Sequence, residues 1–123
     1  MIQLEGKGWR LAWRADHPPF GVLIGGQGWA AELTEAEALA LATAAADLIR
    51  EHQALVDQLL AEEAISLELE RGPWWLVLEG DRQHWSLKGI LSPDAGQRAL
   101  EVSWDGDAGP AFCEALQRLG GQP

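Results

Sequence analysis

The sequence predicts an α+β protein in which a strand-rich motif followed by a helix occurs twice. Three observations carry this reading. Short alternating runs bounded by Gly and Pro fill the first third of the chain; a long stretch of helical periodicity follows Thr34; the second half then repeats strands and a shorter helix. With 123 residues the chain fits one domain, which buries roughly two thirds of its unfolded surface. Motif one covers about residues 1–61 and motif two about residues 62–123, related as a tandem structural repeat although few residues are identical between the halves.

In motif one the expected strands run from Gly8 to Arg14, Phe20 to Gly25 and Trp29 to Leu33. The turn-forming stretches ADHPP and GGQG separate them. Thr34 stands as N-cap with Glu37 three residues later, a capping box. Leu41, Ala45, Leu48, His52, Leu55 and Leu59 then recur on one helical face, widened by Ile49 and Val56. A helix from Glu35 to about Ala61 would be roughly 40 Å long. Three short strands cannot cover it, so its stripe needs the second half of the chain or another subunit, and a homodimer is one reading.

Motif two is expected to place strands at Ile65 to Arg71, Trp74 to Gly80, His84 to Leu91 and Ala99 to Trp104, then a helix from about Pro110 to Leu119. RGP and EGDRQ mark tight connections and SPDAGQ a longer loop. In WDGDAGP, Asp107 or Gly109 is placed to cap the helix, with Pro110 in its first turn.

Nineteen acidic residues against 9 basic ones give a net charge of −10. Such a chain repels phosphate polyanions, which argues against nucleic acid as a partner. The start MIQLEGKGWR lacks the pattern of a secretory signal, and no apolar run is long enough for a bilayer, so a cytoplasmic protein without membrane contact is expected. The single cysteine, Cys113, fits a reducing compartment and borders the face formed by Phe112, Leu116 and Leu119; a small buried hydrophobe is the expected role.

Strand geometry sorts the candidate binding residues. In GWRLAWR, Trp9, Leu11 and Trp13 share one face, and Arg10, Ala12 and Arg14 the other. A single-strand platform needs aromatic and cationic groups on one groove, and this strand divides them. The polar faces gather Arg10, Arg14 and Lys88 against Glu32, Glu68, Glu70, Glu79 and Glu101, which favours cross-strand ion pairs such as Arg10 with Glu32. In PWWLVLEG, Trp74, Leu76 and Leu78 form the apolar face, so Trp75 points away from it with Val77 and Glu79.

Other chemistry finds little support. His17, His52 and His84 lack zinc-ligand spacing, and the DGD of Asp105 to Asp107 lacks the later ligands of a calcium loop. IGGQGW has no Walker lysine, Ser66, Ser86, Ser92 and Ser103 no nucleophile-elbow context, and no carboxylate pair is set in an apolar run. No enzyme, metal or cofactor is therefore expected. The adjacent Glu62 and Glu63 oppose the dipole at the expected helix end.

Four features together resemble a known family: GKGWRLAW from Gly6 to Trp13, VLIGGQGWAAELTEAE from Val22 to Glu37, the acidic helix end at Glu62 and Glu63, and the tryptophan-rich second sheet. They resemble the small cyanobacterial proteins of domain of unknown function 1818 over nearly the whole chain. That resemblance implies antiparallel sheets with crossing helices, similar to the Whirly and PUR-alpha regulators that bind single-stranded nucleic acid. It transfers no activity, because fold analogy does not fix function. Whirly proteins carry a lysine-containing DNA-binding signature, and GKG at Gly6 to Gly8 is too short to match it. The expectation is a non-catalytic interaction or regulatory module that binds an unidentified protein through Trp75, Val77 and Lys88. The alternative is a single-stranded nucleic-acid-binding regulator with Arg10, Arg14 and Lys88 on phosphate; a spatially assembled enzyme site is a weaker third.

Overall fold

The computed structural model describes residues 2–14, 16–58, 63–93 and 98–120. The first half holds β1 (Ile2–Gly6), β2 (Trp9–Trp13), β3 (Val22–Gly26), β4 (Trp29–Leu33) and α1 (Glu35–Val56). The second holds β5 (Ile65–Arg71), β6 (Trp74–Gly80), β7 (Trp85–Leu91), β8 (Leu100–Trp104) and α2 (Ala108–Gly120). Each half is a four-stranded antiparallel meander, in the orders β1-β2-β3-β4 and β5-β6-β7-β8, followed by a helix.

Besides shifts of one or two residues at several element ends, two features differ from the sequence expectation. The first sheet has an additional strand, β1, in which Ile2 and Leu4 alternate with the exposed Gln3 and Glu5. The Lys7–Gly8 turn returns it onto β2, with Gly8 at φ 82°, a conformation that costs glycine little. The long helix begins as expected: Thr34 Oγ1 accepts the Glu37 N–H at 3.1 Å, and Glu37 Oε1 accepts the Thr34 N–H at 2.9 Å. It stops at Val56, its last buried residue, rather than near residue 61. Arg82 Nη2, from the turn after β6, donates to the Val56 carbonyl at 3.3 Å and satisfies one of the orphaned acceptors there. Leu59, Ala61 and Glu62 lie outside the described residues.

At 22 residues α1 is about 33 Å long, and the second half of the chain receives it. It packs against β5 and β6 of the other sheet, whereas α2 packs against β2 and β1 of the first sheet and also touches β7 and β8. Neither sheet is covered by the helix that follows it alone. The core consequently joins both halves, with Leu11, Ile24 and Leu33 from the first sheet, Leu41 and Leu48 from α1, Leu76, Leu78 and Leu87 from the second sheet, and Leu116 from α2.

Trp104 fastens the halves. Its indole Nε1 donates to the Gly25 carbonyl at 2.8 Å across a buried boundary between β8 and β3. The ring stacks on Phe112 of α2 at 3.9 Å and 11°, and meets Trp29 tilted at 5.3 Å. Trp29 Nε1 in turn donates to the Ser103 carbonyl at 3.3 Å.

Glu37 is a second joint. Its backbone carbonyl accepts Trp74 Nε1 at 2.9 Å, and its carboxylate accepts Arg98 Nη2 at 2.6 Å and Nη1 at 3.1 Å. Arg98 also donates to the Glu32 carbonyl and lies 4.6 Å over the Phe20 ring. Burial pushes the Glu37 carboxyl up, but the hydrogen bonds from Arg98 and Thr34 outweigh it and hold it below the usual glutamate value. Asp47 plays a lesser part at the surface, where Arg50 and Arg71 both pair with it.

Two outcomes follow for stability. Trp104→Phe keeps the stack on Phe112 but leaves the buried Gly25 carbonyl without its donor, a loss of about 1–3 kcal/mol in urea unfolding; an unchanged midpoint would remove Trp104 as the fastening. Because the folded-state pKa of Glu37 is depressed, its contribution is present above the ordinary value of 4.5 and lost as pH falls through the depressed one. Glu37→Gln should therefore lower stability at pH 7 by about 1 kcal/mol and flatten the acid limb of a Tm-against-pH curve. Parallel curves for the two proteins would show that this carboxylate is not linked to folding.

Candidate functional site

Both helices are engaged on the inner faces of the sheets, so each sheet keeps an outer face that no described element covers. Antiparallel register arranges the side chains of each outer face in rows running across the strands.

On the second sheet one row is Glu70, Trp75, Ile90 and Glu101, in register from β5 to β8. The next is Glu68, Val77, Lys88 and Ser103, and beyond it Ser66, Glu79 and Ser86. Trp75, Val77 and Ile90 are half-buried among their neighbours, whereas Glu68, Glu70, Glu79, Glu101 and Lys88 are exposed. Trp75 Nε1 donates to Glu68 Oε2 at 3.4 Å, a contact made along the sheet rather than into the core. The centre of this face is therefore an apolar patch with carboxylates at both edge strands. Trp75, Val77 and Lys88 share this face, with Val77 opposite Lys88 and Trp75 opposite Ile90; the alternation of PWWLVLEG accounts for Trp75 and Val77. Ile90 was not anticipated, yet the spacing of WSLKGIL carries it: Leu87, Gly89 and Leu91 face inward, which turns Lys88 and Ile90 outward.

The first sheet has a different outer face. Its rows are Glu5, Arg10, Gly25 and Ala30, then Gln3, Ala12, Leu23 and Glu32. Small side chains at its centre leave two adjoining hollows that share Leu23. One, of about 540 Å³, is bounded by Phe20, Ala30, Glu32 and Arg98; the other, of about 300 Å³, by Gln3, Glu5, Arg10, Ala12 and Arg14.

The expected Arg10–Glu32 pair does not form. β3 separates the two strands and Glu32 stands in the neighbouring row, so Arg10 faces Glu5 and Gly25 instead. Among the described residues neither Arg10 nor Arg14 makes an ion pair; the arginine that does bind a carboxylate strongly is Arg98. The set of Arg10, Arg14 and Lys88 is also divided, because Lys88 lies on the other sheet. Trp9 and Trp13 point to the inner face, where they pack half-buried against the core.

The remaining titratable groups stand apart. His52 is 2% exposed and its Nε2 lies 3.0 Å from the Gly80 carbonyl, a satisfied core histidine. His17 is exposed in a loop, and His84 meets Asp107 at 3.2 Å on the surface. Asp107 precedes α2, which starts at Ala108, so Gly109 and Pro110 lie inside the helix. Backbone N–H groups of His84 and Gln83 hold the Asp81 carboxyl below its usual value. Burial pushes the Cys113 thiol up to about 12, so it is uncharged at neutral pH. Among the described residues no cluster of three His, Cys, Asp or Glu side chains could hold a metal ion, and no helix is long and apolar enough to cross a membrane.

Two antiparallel meanders, each followed by a helix and each left with one open face, define an α+β protein whose candidate chemistry is that of surfaces. The chain belongs to the family described as Domain of unknown function (DUF1818), whose model matches residues 4–119. Among solved structures it is similar to a Prochlorococcus sp. NATL2A protein described as having unknown function and belonging to the DUF155 family. That likeness has 36% identity and a TM-score of 0.89, and covers 97% of this chain and 98% of the other. No curated protein matches the chain.

Proposed function

We propose that the protein is a non-catalytic interaction module that docks a protein partner on the outer face of its second sheet. The observation that carries this reading is the row in which Trp75 and Ile90 lie side by side with no described element over them. An indole and an isoleucine left half-exposed together form the kind of apolar centre, rimmed by polar groups, around which interface hot spots gather. A cytoplasmic setting accords with the net charge of −10 and the lone buried cysteine.

The reading is tested by placing the photo-crosslinker p-benzoylphenylalanine at Ser66, which is exposed on the same face. Irradiation in native lysate should join the protein to a partner. Trp75→Ala should abolish that adduct while lowering unfolding free energy by no more than about 1 kcal/mol, the scale of a lost cross-strand pair. An adduct of undiminished yield in the variant, or a large loss of stability, counts against the face.

A second reading is single-stranded nucleic-acid binding across the first sheet, in keeping with a Whirly- or PUR-alpha-like arrangement of tandem motifs and crossing helices. It is favoured by Arg10 and Arg14, which line a hollow with Gln3, Glu5, Ala12 and Leu23 and have no ionic partner among the described residues. Oligonucleotide binding should then weaken steeply with salt and fall further in Arg10→Ala/Arg14→Ala. No binding at low ionic strength would eliminate it.

A further inference from the structure

We infer that the partner segment received by the second sheet is a cationic amphipathic helix, with an apolar stripe bordered on both sides by Lys or Arg. This rests on the reading of that sheet as a protein-docking face and adds the chemistry of what it docks.

The width of the face points to a helix. From Glu70 on β5 to Glu101 on β8 the row crosses four strands, a span of about 14 Å at the usual strand spacing. A helix with its side chains is about 10–12 Å across. Laid along the strands over Trp75, Val77 and Ile90, it would have its flanks directly above the two carboxylate borders. Glu68 and Glu70 lie on one side and Glu101 on the other, with Glu79 toward the end of β6. The sheet already accepts a helix on its inner face, α1, so a docked one completes a third layer of ordinary architecture.

Charge selects which helix. Lys88 is the only basic group on these rows, set against Glu68, Glu70, Glu79 and Glu101. The chain as a whole carries −10, so a basic segment is steered toward it and an acidic one is held off. Lysine and arginine stems also extend the apolar contact beyond the central stripe before reaching the carboxylates. A second copy of the chain meets this face less well. Pairing the face with itself sets Glu rows against Glu rows, and the first sheet offers Arg10 and Arg14 beside Glu5 and Glu32 over a floor of small side chains.

The test uses the full chain and a labelled synthetic peptide of about 15 residues, which as a helix matches the roughly 23 Å length of the seven-residue β6. Its sequence places Leu on one stripe, Lys on both borders and Ala elsewhere. Two controls accompany it: a scramble of the same composition without amphipathicity, and a peptide with Glu replacing Lys. Fluorescence anisotropy should show binding of the Lys peptide with a Kd about tenfold or more below that of the scramble, and circular dichroism should show helix gained on binding. Trp75→Ala should weaken binding about tenfold, Glu70→Lys/Glu101→Lys should abolish it and admit the Glu peptide, and Arg10→Glu/Arg14→Glu on the other sheet should leave it unchanged.

Equal binding of the scramble would reduce the effect to net charge and overturn the inference. So would Lys-peptide binding indifferent to Trp75→Ala. Sedimentation that shows self-association lost in Glu70→Lys/Glu101→Lys would assign the face to a second copy instead. A crosslinked partner at Ser66 without peptide binding would keep the interaction module and discard the basic helix, whereas loss of both removes the face itself.

Discussion

The hydrogen bond from the Trp104 indole to the Gly25 carbonyl is the constraint on which the molecule depends. It joins the last strand of one sheet to the third strand of the other, in a place where an unpaired carbonyl would be costly. Its ring also carries α2 through the stack on Phe112 and reaches Trp29 on the opposing edge. One side chain thus fixes the separation of the sheets and the position of a helix. With the inner faces closed on each other and on the helices, the outer faces are the broad surfaces that the described elements leave open.

Much of this was legible in the strand and helix periodicities. Ile65–Arg71, Trp74–Gly80 and Trp29–Leu33 stand where alternation placed them, and the Thr34 capping box forms in full. β1 is barely legible in the sequence because Ile2 and Leu4 give only two apolar positions of period 2, although the Lys7–Gly8 turn after them is a usable signal. The end of α1 is not legible in the sequence, because periodicity says nothing of where a distant arginine closes the last turn. Arg82 does so across 26 positions of sequence.

The candidate site was half legible for the same reason. A residue's side of a strand follows from counting, so Trp75 and Val77 could be set apart from Trp74 and Leu76. Register between strands does not follow from counting. The pairing of Trp75 with Ile90, the borders at Glu70 and Glu101, and the separation of Arg10 from Glu32 all depend on which residues the turns bring opposite one another. Arg98 illustrates the limit most plainly: it stands outside the strands, where periodicity is silent, yet it clasps Glu37, 61 positions away.

The exchange of helices has a bearing on how the protein is made. A chain that emerges in order completes its first sheet while the helix that will lie against that sheet, α2, is still to come. The long α1 is likewise formed before the strands it serves. Contacts that close the core therefore span most of the sequence, and they can be collected only after both meanders exist. The two halves, for all their likeness in plan, have no separate history: the second is the lid of the first, and neither is shut until α2 has been made.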